Sequence, residues 1–484
     1  MSDALNVLIC AGEVVPFAKT GGLADVAGSL PKALADLGHD VRVALPKYRD
    51  VYEKHLLLRD VAAGLRIRYR GREHPVAIQQ SDAIESVTTY LLACDPLFAR
   101  SGLYGHPDDA ERFTVYQRAV LAMFEGLDWV PDIIHCNDWQ TALIPVYLNT
   151  DNDLPCSPAT LYTVHNLAYQ GLFPREAITD AGLPDSLYSV DAMEFWGQVS
   201  MMKAGIVFAD MVSTVSPTYA KEIQTPEFGE RLEGVLTGRR KQLVGIVNGL
   251  DYDVWDPASD KFIAAPYGAK QPDGKAAARK ALQERLGLPK RHVPVFGLIS
   301  RLTAQKGLDI LEAALPEVLK HDLQIVVLGT GDQHYHALLS GLAQEYPKRV
   351  SATLAFDNEL AHMIYAGSDM FLMPSRYEPC GLGQMIAMRY GSIPVVRQTG
   401  GLADTVSEFD PATGRGNGFL FKGYDPKGLV AAVGRSLDAH ASDAWAKLVA
   451  NAMNADFSWK RSAKRYAQVY AKAIALHAER RRAR

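Results

Sequence analysis

The feature that most constrains the fold is an alternation, along the whole chain, of short apolar runs with longer segments of helical period. This alternation is typical of βαβ units, in which helices cover both faces of a parallel sheet. The first half contains six predicted strands: Leu5–Cys10, Val41–Leu45, Val87–Ala93, Asp132–Cys136, Thr160–Val164 and Met211–Val215. From Val293 the pattern starts again, with five predicted strands: Val293–Ile299, Gln324–Leu328, Val350–Leu354, Met370–Met373 and Ile393–Val396. We therefore predict an α/β protein of two similar doubly wound domains.

The boundary between the two domains is predicted where a strand-like run meets the turn residues Asn248 and Gly249. This gives an N-terminal domain over residues 1–247 and a C-terminal domain over residues 248–457. Residues 458–484 have helical period and are predicted to form a helix that returns to the first domain. The polar stretch 270–290 predicts a charged surface helix. A further helix begins near Leu23, and Pro31 inside it predicts a kink, or a restart at Ser29.

Composition excludes several classes of protein. A net charge of -4 gives no electrostatic reason to expect nucleic acid or a membrane surface as a partner. The chain has no apolar stretch near the roughly 18 residues of a membrane span, and Asp3 stands where a signal peptide carries positive charge. Its five cysteines are scattered and include no CxxC pair, which favours reduced thiols over a disulfide framework or a zinc site. We therefore predict a cytoplasmic protein.

Two nucleotide-binding classes are also excluded by motif. The sequence contains no GxxxxGK[ST] phosphate loop, and its first βα turn, AGEVVPFAKTGGLADVAG, lacks the GxGxxG dinucleotide fingerprint.

That first turn nevertheless carries Lys19-Thr20-Gly21-Gly22. Glycines let the backbone approach a ligand, and a helix N-terminus offers N–H donors to an anion. With the charge of Lys19 beside them, a phosphate is the natural ligand. The alternative is a mobile surface lysine before a glycine turn.

A second basic loop, Ser300-Arg301-Leu302-Thr303-Ala304-Gln305-Lys306-Gly307, follows the first strand of the second half. Open α/β sheets bind ligands at the carboxyl ends of their strands, so Arg301 and Lys306 are placed to converge on a diphosphate. Each cation–phosphate contact at about 4 Å is worth roughly 4 kcal/mol before desolvation. Two such contacts could replace a metal, and no metal-ligand spacing occurs in the sequence. Two solvated surface charges are the alternative.

A third motif, Tyr377-Glu378-Pro379-Cys380-Gly381-Leu382-Gly383-Gln384, follows another predicted strand. Glu378 near a helix start can accept hydrogen bonds from sugar or ribose hydroxyls, although a plain helix-capping carboxylate is an equal alternative. Cys380 has no activating histidine near it in the sequence. We therefore interpret it as a structural or site-lining residue rather than a nucleophile.

Polar residues also end two strands of the first half. His165 and Asn166 follow Thr160–Val164, and Asp138 follows Asp132–Cys136. Paired donors and acceptors beside aromatic rings suit a sugar, whereas a lone histidine is more often a structural residue.

One stretch occurs twice. Thr20-Gly21-Gly22-Leu23-Ala24-Asp25 recurs as Thr399-Gly400-Gly401-Leu402-Ala403-Asp404, once in each half and each time where a glycine turn opens a helix. One recurrence of a short stretch does not make a repeat protein. It predicts two comparable loops, although common helix-start chemistry explains it as well.

Together these motifs resemble glycosyltransferase family 5, the bacterial glycogen synthases and plant starch synthases. The resemblance runs in the family's order from residue 4 to about residue 470. It rests on KTGGLADVAGSLPKAL, HCNDWQTALIP, TVHNLAYQGLF, KAG followed by VSPTYAKEI, VNGLDYDVWDP, SRLTAQKGLDI, PSRYEPCGLGQ, RQTGGLADTV and FSW. It implies a GT-B fold, with two Rossmann-like domains facing each other across a deep cleft. It also implies retaining transfer of glucose from ADP-glucose to the non-reducing end of an α-1,4-glucan such as glycogen, with no metal and no cofactor.

The resemblance also assigns residues. The implied catalytic set is Glu378, His165, Arg301, Lys306 and Asp138. The implied substrate-binding set is Lys19, Gly22, Asp25, Tyr104, Asn166, Asn248, Gly329, Gly331, Cys380, Gly381, Leu382, Gly383 and Thr399. Lys19, Arg301 and Lys306 would hold the donor diphosphate, with Gly22 giving its amide and Asp25 ordering the Lys19 loop. Some family members have threonine at the position of Gly383, so a hydroxyl contact to phosphate is absent here and a backbone N–H would replace it.

Three rival interpretations have distinct signatures. A sucrose or trehalose-type glucosyltransferase would share the fold but not the KTGGLADV opening. A non-catalytic regulator would be expected to lack Lys19, Arg301 or Glu378, and a phosphorylase needs a pyridoxal-phosphate lysine context that is not found. The preference for ADP-glucose over UDP-glucose rests on the resemblance alone, and the sequence leaves the oligomeric state open.

Overall fold

The structure is a computed structural model that describes residues 4–483. The chain divides into two compact units. Unit 1 contains the residues up to Gly249 together with those from Trp459 onward, and unit 2 runs from Leu250 to Ser458. The chain therefore leaves unit 1, builds unit 2 without interruption, and returns to unit 1.

Unit 1 is built on one large sheet and one small one. Its strands are β1 (Asn6–Cys10), β2 (Asp40–Pro46), β3 (Arg59–Tyr69), β4 (Arg72–Ile84), β5 (Val87–Ala93), β6 (Ile133–Asn137), β7 (Ala159–Val164), β8 (Leu172–Phe173), β9 (Glu194–Phe195), β10 (Gln198–Ser200), β11 (Met211–Thr214) and β12 (Leu243–Gly245). The large sheet has the order β12-β11-β7-β6-β1-β2-β5-β4-β3, and the small sheet has the order β8-β10-β9. The large sheet is parallel from β12 to β5, and β4 and β3 extend it as an antiparallel hairpin.

The helices that cover this sheet are α1 (Gly22–Ala35), α2 (Arg49–Glu53), α3 (Asp95–Phe98), α4 (Asp109–Ala122), α5 (Leu143–Thr150), α6 (Glu176–Asp180), α7 (Met201–Phe208), α8 (Pro217–Glu222) and α9 (Glu233–Gly238). Helix α1 runs through Pro31 as one element, so the predicted restart at Ser29 is wrong. Proline removes one backbone hydrogen bond from a helix interior. Here Pro31 is itself buried, and packing of the apolar stripe that includes Leu23, Leu30 and Leu34 holds the helix together across it.

Unit 2 contains a single parallel sheet. Its strands are β13 (Val295–Ile299), β14 (Gln324–Leu328), β15 (Val350–Thr353), β16 (Met370–Met373), β17 (Ile393–Arg397) and β18 (Phe419–Phe421), in the order β15-β14-β13-β16-β17-β18. Its helices are α10 (Asp273–Arg285), α11 (Leu308–Val318), α12 (Gln333–Glu345), α13 (Asn358–Gly367), α14 (Gly383–Arg389), α15 (Gly400–Thr405), α16 (Pro426–His440) and α17 (Trp445–Met453). Helix α10 forms within the stretch predicted as a surface helix, but it buries Ala278, Leu282 and Gln283 against its neighbours.

The last helix, α18 (Trp459–Ala483), packs into unit 1. Its apolar side chains Trp459, Tyr466 and Tyr470 are buried in the same core cluster as residues of β1 and α1. The Tyr470 hydroxyl lies 2.9 Å from Nδ1 of the buried His135 on β6. The final helix is therefore part of the core of unit 1.

Within residues 4–483, none of the helices has the length and apolar character needed to cross a membrane.

Candidate active site

Both large sheets reverse their strand order at one point, and this is where open α/β sheets bind ligands. In unit 1 the reversal lies between β1 and β6, and in unit 2 between β13 and β16. The loops that leave the carboxyl ends of β6, β13 and β16 carry the predicted catalytic residues, apart from His165, which follows β7. The loop after β1 carries Lys19. The structure thus gathers these residues into two groups, one in each unit.

The centre of the group in unit 2 is an ion pair between Lys306 and Glu378. Nζ of Lys306 lies 2.7 Å from Oε2 of Glu378, and their side chains are 17% and 7% exposed. The Ser375 hydroxyl donates to the same oxygen over 3.0 Å. A buried carboxylate needs such partners, because an unpaired charge in a dry environment is costly. The pair joins the loop after β13 to the loop after β16, although 72 positions separate the two residues.

Gly307 explains why the basic loop can come this close. Its φ is 76°, in the left-handed region that favours glycine, and a Cβ there would lie 2.0 Å from the Pro374 carbonyl oxygen. Any larger residue would push the loop after β13 away from the loop after β16. Lys306 and Gly307 therefore act together. The lysine supplies the charge, and the glycine leaves the space that lets this charge reach Glu378.

Gly329 and Gly331 pack against the backbone of the loop that carries Arg301. They follow β14, and a Cβ on either would meet the carbonyl oxygen of Ser300 or Leu302, at 1.9 Å and 2.3 Å. The backbone of Leu302 also donates to Thr330 over 2.9 Å. The structure thus places these two predicted binding glycines against the backbone of the Arg301 loop.

The remaining predicted residues of unit 2 form the turn that carries Glu378 into α14. Gly381 has a φ of 72°, and Gln384 donates to the carbonyls of Cys380 and Gly381 over 3.1 Å and 2.8 Å. Leu382 precedes α14, and Gly383 begins it. A Cβ at Gly383 would be 3.2 Å from the ring of Phe371, so a larger side chain at this position would crowd a core phenylalanine.

Thr399, Gly400 and Gly401 lie directly beneath this turn. Thr399 is buried and precedes α15, and the N–H of Gly401 donates to the Glu378 carbonyl over 3.1 Å. A Cβ on Gly400 would lie 1.9 Å from that same carbonyl oxygen. The second Thr-Gly-Gly motif therefore supports the backbone of Glu378.

In unit 1, the loop between β1 and α1 presents Lys19. Its Nζ lies 2.7 Å from Oδ1 of Asp25, and both side chains are partly exposed, at 44% and 33%. Gly22 is the first residue of α1, as the motif predicts. Because exposed ion pairs contribute little stability, the pair orients the lysine more than it holds the loop.

The loop is held instead by Glu13, which sequence reasoning missed. Its buried Oε2 accepts hydrogen bonds from the backbone and hydroxyl of Thr20, the latter over 2.7 Å, and from the N–H of Gly21 over 3.1 Å. Burial raises the pKa of Glu13, and these hydrogen bonds oppose that shift. A carboxylate between the first strand and the glycine turn, in Gly12-Glu13, was the signal that could have identified it.

Asp138 adopts a backbone conformation that few residues other than glycine adopt. Its φ is 55° and its ψ is -176°, and such conformations cost about 1–3 kcal/mol and cluster at functional sites. Its backbone N–H donates to the Thr163 carbonyl over 3.0 Å, and its Oδ1 accepts from the N–H of His165 over 2.8 Å. Burial raises the pKa of Asp138 to about 7. A carboxyl group with this pKa can either donate or accept a proton near neutrality.

His165 is held in one neutral tautomer. Burial lowers the pKa of His165 to about 3, so the ring is uncharged. Its Nε2 lies 2.8 Å from Oδ1 of Asn137, whose Nδ2 donates to the carbonyls of Cys10 and His135. Since the amide nitrogen of Asn137 is used as a donor, its oxygen accepts, and the proton of His165 is on Nε2. Nδ1 is left as an acceptor, which suits a sugar hydroxyl. Asn137 is a second residue that sequence reasoning missed.

Three other predicted residues complete the group in unit 1. The hydroxyl of Tyr104 and Oδ1 of Asn248 are both buried, and within the described chain neither has a hydrogen-bond partner. Asn166 accepts a hydrogen bond from the backbone of Ala168 over 3.2 Å. Buried polar atoms are nearly always paired in proteins, so the hydroxyl of Tyr104 and Oδ1 of Asn248 are candidates to contact a bound substrate.

No group of three or more histidine, cysteine, aspartate and glutamate side chains that could hold a metal occurs among residues 4–483.

The chain matches two family models, one in each half. Residues 6–238 match the starch synthase catalytic domain, and residues 281–452 match the glycosyl transferases group 1 family. Over 481 residues the chain is 48% identical to a glycogen synthase of Moorella thermoacetica, covering 98% of each chain. Over 488 residues it is 49% identical to a glycogen synthase of Thermotoga maritima, covering 97% of this chain and 99% of the relative.

The chain belongs to the glycogen synthase and starch synthase family. Among solved structures, it is similar to the catalytic domain of starch synthase IV from Arabidopsis thaliana bound to ADP and acarbose, with a TM-score of 0.91 and 37% identity over 98% of this chain and 100% of that one. A sucrose-phosphate synthase from Thermosynechococcus elongatus shares the fold, with a TM-score of 0.61 at 20% identity over 97% of this chain and 99% of that one. The predicted class, two Rossmann-like α/β domains of the GT-B type, is confirmed.

Proposed function

We propose that the chain is a glycogen synthase, a retaining hexosyltransferase that moves glucose from ADP-glucose to the non-reducing end of an α-1,4-glucan. The observation that carries this proposal is the buried Lys306–Glu378 pair at the strand-order reversal of a family member's second domain. A cation and a carboxylate held 2.7 Å apart offer one group to a departing diphosphate and the other to sugar hydroxyls.

The donor would be held mainly by cations. Lys19 in unit 1, and Arg301 and Lys306 in unit 2, would contact the diphosphate and stabilise the negative charge that develops as the glucose–phosphate bond breaks. Three cations can do this without a metal ion, so we propose that the enzyme needs neither a metal nor another cofactor. The ADP in the related starch synthase structure supports an adenine nucleotide as donor.

The glucosyl and acceptor side would be formed by His165 and Asp138. The free Nδ1 of neutral His165 can accept a hydrogen bond from a sugar hydroxyl. Asp138, whose pKa is raised to about 7 by burial, can exchange a hydrogen bond with another hydroxyl in either direction. Tyr104, with its unpaired buried hydroxyl, adds a third polar group on this side.

Retention is best explained by attack on the same face from which the diphosphate leaves. Oε2 of Glu378 already accepts from Lys306 and Ser375, which weakens it as a nucleophile. Asp138 has one oxygen bound to the His165 backbone and a pKa near 7, so it is not a fully ionised nucleophile either. We propose that the leaving phosphate accepts the proton of the attacking 4-hydroxyl. Isolation of a glycosyl-enzyme on either carboxylate would contradict this mechanism.

The proposal includes a cytoplasmic location and a partner set limited to the nucleotide sugar and the glucan. The five cysteines are all free thiols, and the net charge of -4 gives no overall electrostatic attraction to nucleic acid.

The experiment that tests the function is nucleotide release in chelator, with ADP-glucose and UDP-glucose offered separately and glycogen present or omitted. ADP release that requires glycogen and persists in chelator is expected. Release from UDP-glucose alone would overturn the donor, loss of activity in chelator would overturn metal independence, and release from neither donor would overturn the catalytic function.

A further inference from the structure

A cavity in unit 2 lies at the opposite edge of the sheet from Glu378. It has a volume of about 350 Å³, within the size range of small-molecule pockets. Asp369 and His292 on its wall stand before β16 and β13, at the amino ends of these strands, whereas Glu378 and Arg301 follow their carboxyl ends. A strand of four or five residues spans roughly 15 Å, so the cavity is separate from the candidate active site.

One wall of the cavity is apolar. Helix α17 contributes Trp445, Ala446, Val449 and Met453, and the start of α10 contributes Ala276. The Trp445 ring is partly exposed and rests edge-on against His440, with ring centres 4.8 Å apart. An aromatic ring among small side chains leaves space for a flat or apolar body to lie against it.

The other wall is cationic. Five of its side chains are lysine or arginine, and three of these are paired with a carboxylate: Arg279 with Asp369, Lys290 with Glu284, and Arg291 with Asp322. The two that remain are Lys275 and Lys280. Among the residues that the structure describes, Lys280 has no acidic partner within ion-pair distance.

Lys275 is held at this wall by backbone carbonyl groups. Its Nζ donates to the carbonyls of Ala366, Ser368 and Tyr390 over 2.8–3.0 Å, which uses the three N–H groups of an ammonium. Burial nevertheless lowers the pKa of Lys275 to about 7, although the charge of Asp369 acts to raise it. Two positive charges therefore remain beside the cavity, on Lys280 and on the ammonium form of Lys275, and a phosphate dianion would match them.

We propose that this cavity binds a small phosphomonoester with an apolar or aromatic body. The phosphate would lie toward Lys280 and Arg279, and the body would lie against Trp445 and the small residues of α17. We expect both parts to be needed for tight binding, because the cations hold the phosphate and the apolar wall buries the body of the ligand.

The test is calorimetric titration of the full chain with phenyl phosphate, in saturating ADP so that a nucleotide site elsewhere is occupied. We expect one saturable site. Phenol, which has the body without the charge, and inorganic phosphate, which has the charge without the body, should each bind at least tenfold more weakly.

Two variants on exposed positions locate the site. Lys280→Ala removes the unpaired cation, and Ala446→Phe fills the cavity from its rim; each should raise the dissociation constant of phenyl phosphate at least fivefold. Lys447→Ala is the matched control, an exposed lysine next to the apolar wall that does not line the cavity, and it should change the constant less than twofold. Equal affinity for inorganic phosphate, no saturable binding of phenyl phosphate in saturating ADP, or unchanged binding in both variants would overturn the proposal.

Discussion

The two Thr-Gly-Gly-Leu-Ala-Asp stretches are identical in sequence and opposite in their surroundings. In unit 1, the carboxylate of Glu13 accepts hydrogen bonds from the N–H of Gly21 and from the backbone N–H and hydroxyl of Thr20. The adjoining Lys19 is partly exposed. In unit 2, Gly400 and Gly401 are buried beneath the backbone of Glu378 and Cys380. One copy presents a charge to solvent, and the other supports a residue of the candidate active site.

The difference shows that the shared motif specifies a helix start and little more. What each loop does depends on the strand-end residue that it meets, a glutamate side chain in unit 1 and a backbone carbonyl in unit 2. The two groups also differ in charge. Unit 1 holds a neutral histidine and a carboxyl group with a pKa near 7, whereas unit 2 holds a paired lysine and glutamate.

The largest contrast is expected for alanine at corresponding glycines. Gly400→Ala puts a Cβ 1.9 Å from the Glu378 carbonyl oxygen at a residue whose φ is 44°, so we expect a loss of about 3 kcal/mol or more in stability. Gly21→Ala puts a Cβ 3.3 Å from Oε1 of Glu13 at an extended φ of -147°, and should cost less than about 1 kcal/mol. Denaturant unfolding measures both. Equal losses would show that the two loops are held in the same way.

Removal of a cation should also distinguish the two loops. Lys306→Ala is expected to lower kcat/KM at least a hundredfold, about 2.7 kcal/mol, because it removes a diphosphate contact and leaves Glu378 buried without its partner. Lys19→Ala, at an exposed pair, should lower it about tenfold, or roughly 1.4 kcal/mol. Steady-state kinetics gives both values.

A double variant separates charge loss from destabilisation. Lys306→Ala combined with Glu378→Gln removes the unpaired buried charge. Stability should therefore return toward the wild-type value, whereas kcat/KM should stay low. Lys320→Ala, at an exposed pair with Glu317, is the control and should leave both unchanged. If Lys306→Ala keeps kcat/KM within threefold of the wild type, the diphosphate assignment is wrong.

A smaller effect is expected at Glu13. Glu13→Gln weakens the charge-assisted hydrogen bonds to Thr20 and Gly21, so the Lys19 loop should become less ordered. We expect KM for ADP-glucose to rise about tenfold, roughly 1.4 kcal/mol, with kcat changed less than about threefold. Glu53→Gln, at an exposed pair with Arg49, serves as the control. A fall in kcat with unchanged KM would contradict a role confined to positioning the loop.

The smallest effect concerns pH and the carboxyl group of Asp138. Its folded pKa of about 7 lies above the ordinary value near 3.8, so the folded state holds a proton that the unfolded state releases between these limits. Its contribution to stability is therefore present at low pH and is lost as pH rises toward 7. Asp138→Asn removes this loss, and its stability relative to the wild type should rise by about 1 kcal/mol between pH 5 and pH 8, since partial exposure reduces the full effect. A constant difference across this range would refute the raised pKa.

Much of the fold could be predicted because its central strands are continuous apolar runs. The eleven strands predicted from such runs all form, with each end within two residues of its predicted position. The hairpin of β3 and β4 was not predicted, since both strands carry many charged and polar residues and lie at the edge of the sheet. The restart predicted at Ser29 was wrong because burial of a helix can outweigh the backbone hydrogen bond lost at Pro31.

The sequence predicted individual residues of the candidate site, but it did not predict which of them contact one another. Sequence alone could not show that Lys306 meets Glu378 across 72 positions, or that Asp138 has a positive φ. Glu13 and Asn137 were missed because each acts through a partner that is distant in sequence. Such residues become visible only when the strand ends are brought side by side. The roles given to the individual site residues remain predictions for the experiments above.

The return of α18 to unit 1 has a consequence for synthesis on the ribosome. Unit 2 is one uninterrupted segment and can close its core once Ser458 has emerged. Unit 1 is completed later, because Trp459, Tyr466 and Tyr470 belong to the same core as β1 and emerge after unit 2. The domain that begins first is therefore completed second, and a ribosome that stalls after residue 458 would leave a finished unit 2 attached to a unit 1 with one side of its core open to water.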